Sequence, residues 1–117
     1  MYCTAMGKSI LALLPENEVR TIWSRTQVVK LTANTICTYG AMQRELELTA
    51  QRGYAVDNEE HETGVYCIAA AITNFNHQPV GAISISSPIS QMDESRRRQL
   101  SQHIREAAIS ISTLLGA

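Results

Sequence analysis

Two periodic patterns of apolar residues divide the chain into helices and strands. Apolar residues recur every three or four positions near both ends of the chain and within residues 38–52, as they do on one face of a helix. Between residues 54 and 87, branched apolar residues alternate with small or polar ones, which is typical of half-buried strands. We expect helices that begin after Thr4, Pro15, Thr38 and Asp93, and strands at about 54–57, 64–73 and 79–87.

The first and last helices carry the clearest apolar stripes. Pro15 disfavours a helical residue before it, so the first helix is expected to end at Leu14. The stripe of the first helix consists of Met6, Ile10, Leu13 and Leu14. The stripe of the last helix consists of Leu100, Ile104, Ala107, Ile111, Leu114 and Leu115. We expect both stripes to be buried in the core of the domain.

The predicted order, α-α-α-β-β-β-α, defines an α+β domain in which antiparallel strands are backed by helices. Gly53 is expected to end the third helix in the left-handed conformation, and residues 74–79 have the composition of a hairpin turn. Residues 26–37 lack a clean period and are expected to form a loop with a little extended structure. Three strands are few for this much helix, so we expect earlier strands of the same sheet to be missing.

Composition and charge describe an ordinary globular domain and exclude several functions. The 117 residues, of which 44% are hydrophobic and 18% charged, suffice for one domain. A net charge of −1 provides no basic footprint for nucleic acid, and the arginines at 96–98 fit a solvated face or an oligomer contact better. Three cysteines and three scattered histidines match no metal or redox spacing. We therefore expect a soluble, cytoplasmic protein that binds no metal, cofactor or membrane.

Small polar side chains cluster on one face of the predicted sheet. Because side chains alternate along a strand, Cys67 lies on the face opposite Ile68, and Ser84 and Ser86 lie opposite the neighbouring isoleucines. If the isoleucines pack against the helices, Cys67, Ser84 and Ser86 share the other face with Asp57 from the preceding strand. One thiol, two hydroxyls and one carboxylate can hydrogen-bond a small polyoxygenated ligand.

The start of the first helix supplies a second element of the predicted site. The backbone N–H groups of Ala5, Met6 and Gly7 are expected to be free there, and the helix dipole favours an anion. Gly7 allows a ligand to approach the backbone closely. We expect a carboxylate to bind at these groups. Because Asp57 would repel that carboxylate, we expect Asp57 to accept from a ligand hydroxyl or a backbone donor at the far end.

Other interpretations of the same residues stay open at this point. Cys67 alone is more often a small core residue than a ligand, and Ser84 and Ser86 fit the solvent face of an edge strand equally well. An enzyme with Cys67 as nucleophile and His61 or Asp57 as base is an alternative, although no histidine is placed by the sequence to face Cys67. A purely structural dimerisation module, which binds no small acid, is another.

Several of these segments together resemble the effector-binding domain of IclR-type bacterial transcriptional regulators. The resemblance is carried by residues 4–8, 53–55, 64–70 and 83–88, together with Asp57 and Glu60. Their order and spacing match over essentially the whole chain. The resemblance implies a GAF-like fold, a small organic acid (a keto or hydroxy acid) as effector, and a homodimer or tetramer that binds operator DNA. It also implies effector contacts from Ala5, Met6, Asp57, Cys67, Ser84 and Ser86.

Parts of that family's architecture are expected to be missing from this chain. Members of the family begin with a winged helix-turn-helix and a linker helix, and their effector domain starts with further strands. We therefore predict that residues 1–117 form a partial effector-binding domain that is not an enzyme and reaches DNA only through a domain outside this chain. Ala71 stands where the family often has proline, which affects strand geometry more than the choice of ligand.

Overall fold

A computed structural model describes residues 2–117 of the chain. Its elements are α1 (Ala5–Leu11), α2 (Glu16–Arg25), α3 (Tyr39–Arg52), β1 (Ala55–Asn58), β2 (Val65–Thr73), β3 (Pro79–Pro88), a short 3₁₀ turn (Ile89–Gln91) and α4 (Glu94–Leu114). This is the predicted order of helices and strands. Residues 26–38 form neither helix nor strand, and Thr26 at the start of this loop has an extended backbone, as predicted.

Local capping interactions explain where the helices begin and end. The side chains of Thr4, Thr38 and Asp93 each accept a hydrogen bond from a backbone N–H in the first turn of the helix that follows. At the end of α3, Gly53 adopts the left-handed conformation with φ 84°, and its N–H donates to the carbonyl of Thr49. These caps confirm the predicted starts of α1, α3 and α4 and the predicted end of α3.

The three strands form an antiparallel sheet in the order β1-β2-β3. In its register, Asp57 of β1 lies opposite Cys67 of β2, and Cys67 lies opposite Ser86 of β3. One step along the same face, Ala69 lies opposite Ser84. Directly opposed residues of antiparallel strands point to the same side, so this register places the predicted polar residues of the sheet on one face.

The two faces of the sheet pack against different helices. The apolar face packs against α4 in a cluster that contains Tyr66, Ile68, Ala70, Met92, Ile104 and Ala108. Ala55 and Ala69 are fully buried on the opposite face. Since α1 contacts all three strands but takes no part in the cluster beneath α4, α1 covers this second face. Helices α1, α2 and α3 share a separate small core built around Leu11, Val19, Met42 and Leu46.

The predicted buried face of the first helix is wrong. Helix α1 ends at Leu11 rather than Leu14, and Met6 and Leu13 are exposed. The buried residues of α1 are instead Ala5, Gly7, Lys8, Ser9 and Leu11. The sequence pattern favoured the apolar side chains, but the helix turns a lysine inward because the lysine finds acidic partners there.

The predicted buried face of the last helix is only partly right, since Ile104 is buried and Leu100 packs against the same cluster. Ala107 is exposed and Leu114 is 86% exposed, while Ile104 alone of the predicted stripe is fully buried. The side of α4 that meets the sheet carries Ser101, Ile104, Ala108 and Ser112. Small side chains at these positions let the helix lie close to the sheet. Ser112 also makes a polar contact there, because its Oγ accepts from the N–H of Thr73 at 3.0 Å.

The sequence predicts that the arginines at 96–98 form a solvated face or an oligomer contact, but one of the three packs against the rest of the domain. Arg96 and Arg98 are exposed, but the guanidinium of Arg97 lies 4.5 Å from the centre of the Tyr66 ring. Arg97 also donates to the carbonyl of Met92 at 2.9 Å. Arg97 therefore packs the start of α4 onto the apolar face of the sheet.

Candidate functional site

The predicted polar residues of the sheet lie in a row across its three strands. Asp57, Cys67 and Ser86 are directly opposed in the register, and the Sγ of Cys67 lies 3.1 Å from the Oγ of Ser86. Ser84 stands beside them on the same face. The prediction that these four residues share one face is confirmed, while their role in binding an effector stays a prediction.

Exposure changes steadily along this row. Asp57 is 4% exposed, Cys67 is half-buried, and Ser84 and Ser86 are exposed. The row therefore runs from a buried end on β1 to an exposed end on β3. A small ligand that touched both ends would extend from the buried carboxylate of Asp57 to the exposed serine hydroxyls.

Asp57 is held in place by backbone donors from the turn that follows β1. Its Oδ1 accepts from the N–H of Glu60 at 2.8 Å and from the N–H of His61 at 3.3 Å. Within residues 2–117, Oδ2 of Asp57 makes no hydrogen bond. One carboxylate oxygen is thus used in the turn, and the other remains as an acceptor.

The start of α1 differs in one respect from the predicted anion site. The N–H of Gly7 donates to the Oγ1 of Thr4 at 3.1 Å, so it is not free for a ligand, and this part of the prediction is wrong. The N–H groups of Ala5 and Met6 have no acceptor within the described residues. Ala5 is buried, whereas the Met6 side chain is 42% exposed.

A buried ion pair that sequence reasoning missed lies beneath this region. Lys8 is 0% exposed, and its Nζ donates to the Glu60 carboxylate at 2.8 and 2.9 Å and to the carbonyl of Val56. Glu45 lies 3.5 Å from the same ammonium and also pairs with Arg52 at 3.0 Å. Burial raises the pKa of the Glu60 carboxyl above its ordinary value, although the attraction of Lys8 opposes this.

The sequence held one signal for this pair. Lys8 lies three positions after Ala5 and three before Leu11, so it is a neighbour of both on the helix surface. A lysine on the small and apolar side of a short helix calls for a carboxylate partner, and the acidic turn after β1 contains one in Glu60.

The histidine considered as a catalytic base contacts a different cysteine. The Nδ1 of His61 lies 3.4 Å from the Sγ of Cys3, and Cys67 contacts Ser86 instead. Burial is the main reason that the pKa of the Cys3 thiol is raised, which lowers its thiolate fraction. The geometry thus gives no support to an enzyme with Cys67 as nucleophile and His61 as base.

A separate cavity of about 360 Å³ lies at the other end of β2. It is a half-open cavity between α1, α3, α4 and the end of β2, and its lining includes Ser9, Ala71, Thr73, Arg105 and Ser112. None of the seven predicted effector-binding residues lines it.

The sequence and this fold together identify the class of the protein. Residues 1–113 match the family described as the bacterial transcriptional regulator IclR C-terminal domain, and the chain belongs to this family. The resemblance drawn from the sequence is confirmed, as is the α+β fold class.

Individual relatives are similar along nearly the whole chain. The transcriptional repressor AllR of Klebsiella pneumoniae is 36% identical over 116 residues, which are 99% of this chain and 43% of AllR. The crystal structure of Thermotoga maritima IclR superposes with a TM-score of 0.94 at 40% identity and covers 99% of this chain and 47% of that one. The C-terminal domain of the Escherichia coli regulator KdgR gives a TM-score of 0.93 at 32% identity, covering 99% of this chain and 71% of that one.

These relatives also test the expectation that this domain is part of a transcriptional regulator. They are transcriptional regulators, so the prediction that this domain is a regulator component and not an enzyme is confirmed. The chain spans less than half the length of AllR and of full-length Thermotoga IclR. Among residues 2–117, no helix is both long and apolar enough to cross a membrane.

Proposed function

We propose that this effector-binding domain senses a small keto or hydroxy acid and that the ligand binds along the polar row of the sheet. The observation that carries the proposal is the register that aligns Asp57, Cys67 and Ser86 beside Ser84, on the face of the sheet that α1 covers. The side chains of the row are small, so a compact ligand fits them better than a large one.

Each group of the row suits one part of such an acid. The N–H groups of Ala5 and Met6 can donate to a carboxylate, and the exposed hydroxyls of Ser84 and Ser86 can donate to a keto oxygen or exchange hydrogen bonds with a hydroxyl. The Oδ2 of Asp57, which makes no hydrogen bond within residues 2–117, can accept from a ligand hydroxyl. The site therefore combines donors for an anion with one acceptor that favours a hydroxylated ligand.

In this proposal, ligand binding affects DNA binding through self-association of the chain and through a separate DNA-binding domain. The ligand changes the geometry of a homodimer or tetramer, and this in turn changes the spacing of DNA-binding domains outside residues 1–117. Two features support self-association. Strand β3 pairs only with β2 among the described strands, so its other edge is open, and Val80 on that strand is 56% exposed.

Replacement of the two serines tests the proposed site. We expect pyruvate or lactate to raise the melting temperature of the wild-type chain, and Ser84→Ala/Ser86→Ala to abolish that rise while the fold persists. Ser95→Ala/Ser110→Ala is the matched control, because both serines are exposed on α4. An unchanged rise in the first variant, or an equal loss in the control, would overturn the site. Self-association without any response to acids would favour the structural dimerisation module.

A further inference from the structure

Lys8 is completely buried, although lysine is among the side chains that proteins bury least often. Its ammonium makes hydrogen bonds to both oxygens of Glu60 and to the carbonyl of Val56. Val56 lies in β1 and Glu60 lies in the turn after it. Lys8 therefore joins α1 to a segment about fifty positions further along the chain.

Glu60 is in turn hydrogen-bonded to the carboxylate of Asp57. The Oε2 of Glu60 accepts from the N–H of Asn58 at 3.1 Å, and the N–H of Glu60 donates to the Oδ1 of Asp57 at 2.8 Å. The turn between residues 57 and 60 is thus hydrogen-bonded to the Glu60 side chain, which also binds Lys8. A movement of that side chain would move the donor that orients Asp57.

At its other end, this connection fixes the start of α1. Lys8 and Ala5 lie on one face of the helix, less than one turn apart. Among residues 2–117, the N–H of Ala5 at the helix start has no acceptor. Lys8 therefore sets the position of a donor and, through Glu60, the position of an acceptor, which come from distant parts of the chain.

We infer that Lys8 is a positioning residue of the effector site, which holds the start of α1 and the Asp57 carboxylate at the separation that the ligand requires. This inference rests on the proposed function. A buried ion pair adds little stability compared with a well-packed apolar pair, so stability alone is a poor explanation for it. An apolar pair in its place would keep α1 and the turn packed, but it would not hold the carboxylate of Glu60 in one orientation.

The turn has other anchors, which makes the inference testable without unfolding the domain. Thr35 Oγ1 donates to the carbonyl of Glu60 at 2.6 Å, and Asn34 Nδ2 donates to the carbonyl of Asn58 at 2.9 Å. Removing both charges of the buried pair leaves these contacts in place and leaves no charge unpaired between Lys8 and Glu60. The double variant Lys8→Met/Glu60→Gln is therefore expected to fold.

The experiment compares Lys8→Met/Glu60→Gln with Arg20→Met/Glu16→Gln, which removes an exposed ion pair on α2. Titration calorimetry measures the affinity for pyruvate and lactate. Hydrogen exchange measures protection of the N–H groups of Glu60 and His61, which donate to Asp57, relative to amides in α4. We expect the first variant to bind at least about tenfold more weakly and to lose about tenfold protection at these two amides but none in α4. The control should match the wild type in both measurements.

Two outcomes would overturn the inference. One is wild-type affinity in Lys8→Met/Glu60→Gln, and the other is a loss of protection that is equal in the turn and in α4, which indicates a general stabilising role. If the wild-type chain binds neither acid, the proposed function fails. Hydrogen exchange alone then tests whether Lys8 positions Asp57. A loss confined to the turn then still shows that Lys8 positions Asp57, and an unchanged turn shows that it does not.

Discussion

Lys8 and Glu60 lie 52 positions apart in the chain, and the ammonium of Lys8 contacts both oxygens of the Glu60 carboxylate, at 2.8 and 2.9 Å. Lys8 is fully buried and Glu60 is 6% exposed. Charges so far from water are tolerated only because each neutralises the other and the remaining polar atoms are hydrogen-bonded. The pair therefore links α1 to the turn after β1, and both of these segments contribute to the proposed site.

Removing one partner of this pair should destabilise the domain strongly. In Lys8→Met, the carboxylate of Glu60 stays buried and loses its cation, so we expect the free energy of unfolding to fall by about 3 kcal/mol or more. Urea denaturation followed by circular dichroism measures it.

The control for this measurement is Arg20→Met, which breaks the exposed Arg20–Glu16 pair. Exposed pairs contribute little, so no measurable change is expected there. Equal effects of the two substitutions would show that the Lys8 pair is not energetically distinct from a surface pair.

The raised pKa of Glu60 predicts how stability depends on pH. Burial is the largest cause of the shift, and it makes the folded state hold the Glu60 proton at pH values where the unfolded state has released it. Between the ordinary glutamate pKa, about 4.3, and the higher folded value, the folded state binds more protons. The contribution of Glu60 to stability therefore decreases as pH rises through this range.

A comparison of the wild type with Glu60→Gln isolates that contribution. Unfolding free energies measured at pH 4, 5, 6 and 7 should show that the wild type loses stability relative to the variant as pH increases. The titrations of all other groups largely cancel in this difference. A difference that grows in the opposite direction would mean that the attraction of Lys8 outweighs burial.

The corrected buried face of α4 leads to a second comparison of stability. Ile104 is 2% exposed in the cluster beneath the sheet, whereas Leu114 is 86% exposed. We expect Ile104→Ala to lower the free energy of unfolding by about 2–5 kcal/mol, because it leaves a cavity in the core. Leu114→Ala should lower it by less than about 0.5 kcal/mol. A large loss of unfolding free energy in Leu114→Ala would mean that Leu114 is buried, as the sequence pattern predicted.

The sequence predicted those parts of the fold that depend on local signals. Thr38, Gly53 and Asp93 act through backbone groups within a few residues of them, so their caps were predictable. The shared face of Cys67 and Ser86 followed from alternation in two strands joined by a short turn.

The sequence could not predict features that depend on distant partners. Lys8 is buried because Glu60 contacts it across the fold. The small and apolar neighbours of Lys8 on α1 indicate that it needs a carboxylate partner, but they do not indicate which carboxylate. On α4, Ile104 and Leu114 look equally apolar, and the difference in their burial arises from where the three-stranded sheet ends beneath the helix.

The cysteines should differ in their reaction with iodoacetamide. Cys37 is exposed, whereas Cys3 is 7% exposed and contacts the ring of His61. Burial raises the pKa of the Cys3 thiol, and the nearby carboxylates of Asp57 and Glu60 act in the same direction. Since the thiolate is the reactive form, Cys3 should be alkylated more slowly than Cys37 at pH 8.

Peptide mass spectrometry over a pH series would measure these rates separately. The rate at Cys3 should keep increasing above the ordinary pKa of a cysteine thiol, because burial makes the Cys3 thiol ionise at higher pH. A Cys3 that reacted faster than Cys37 at pH 7 would contradict the burial seen here. It would instead indicate that His61 activates the thiol, as in an enzyme whose nucleophile is Cys3.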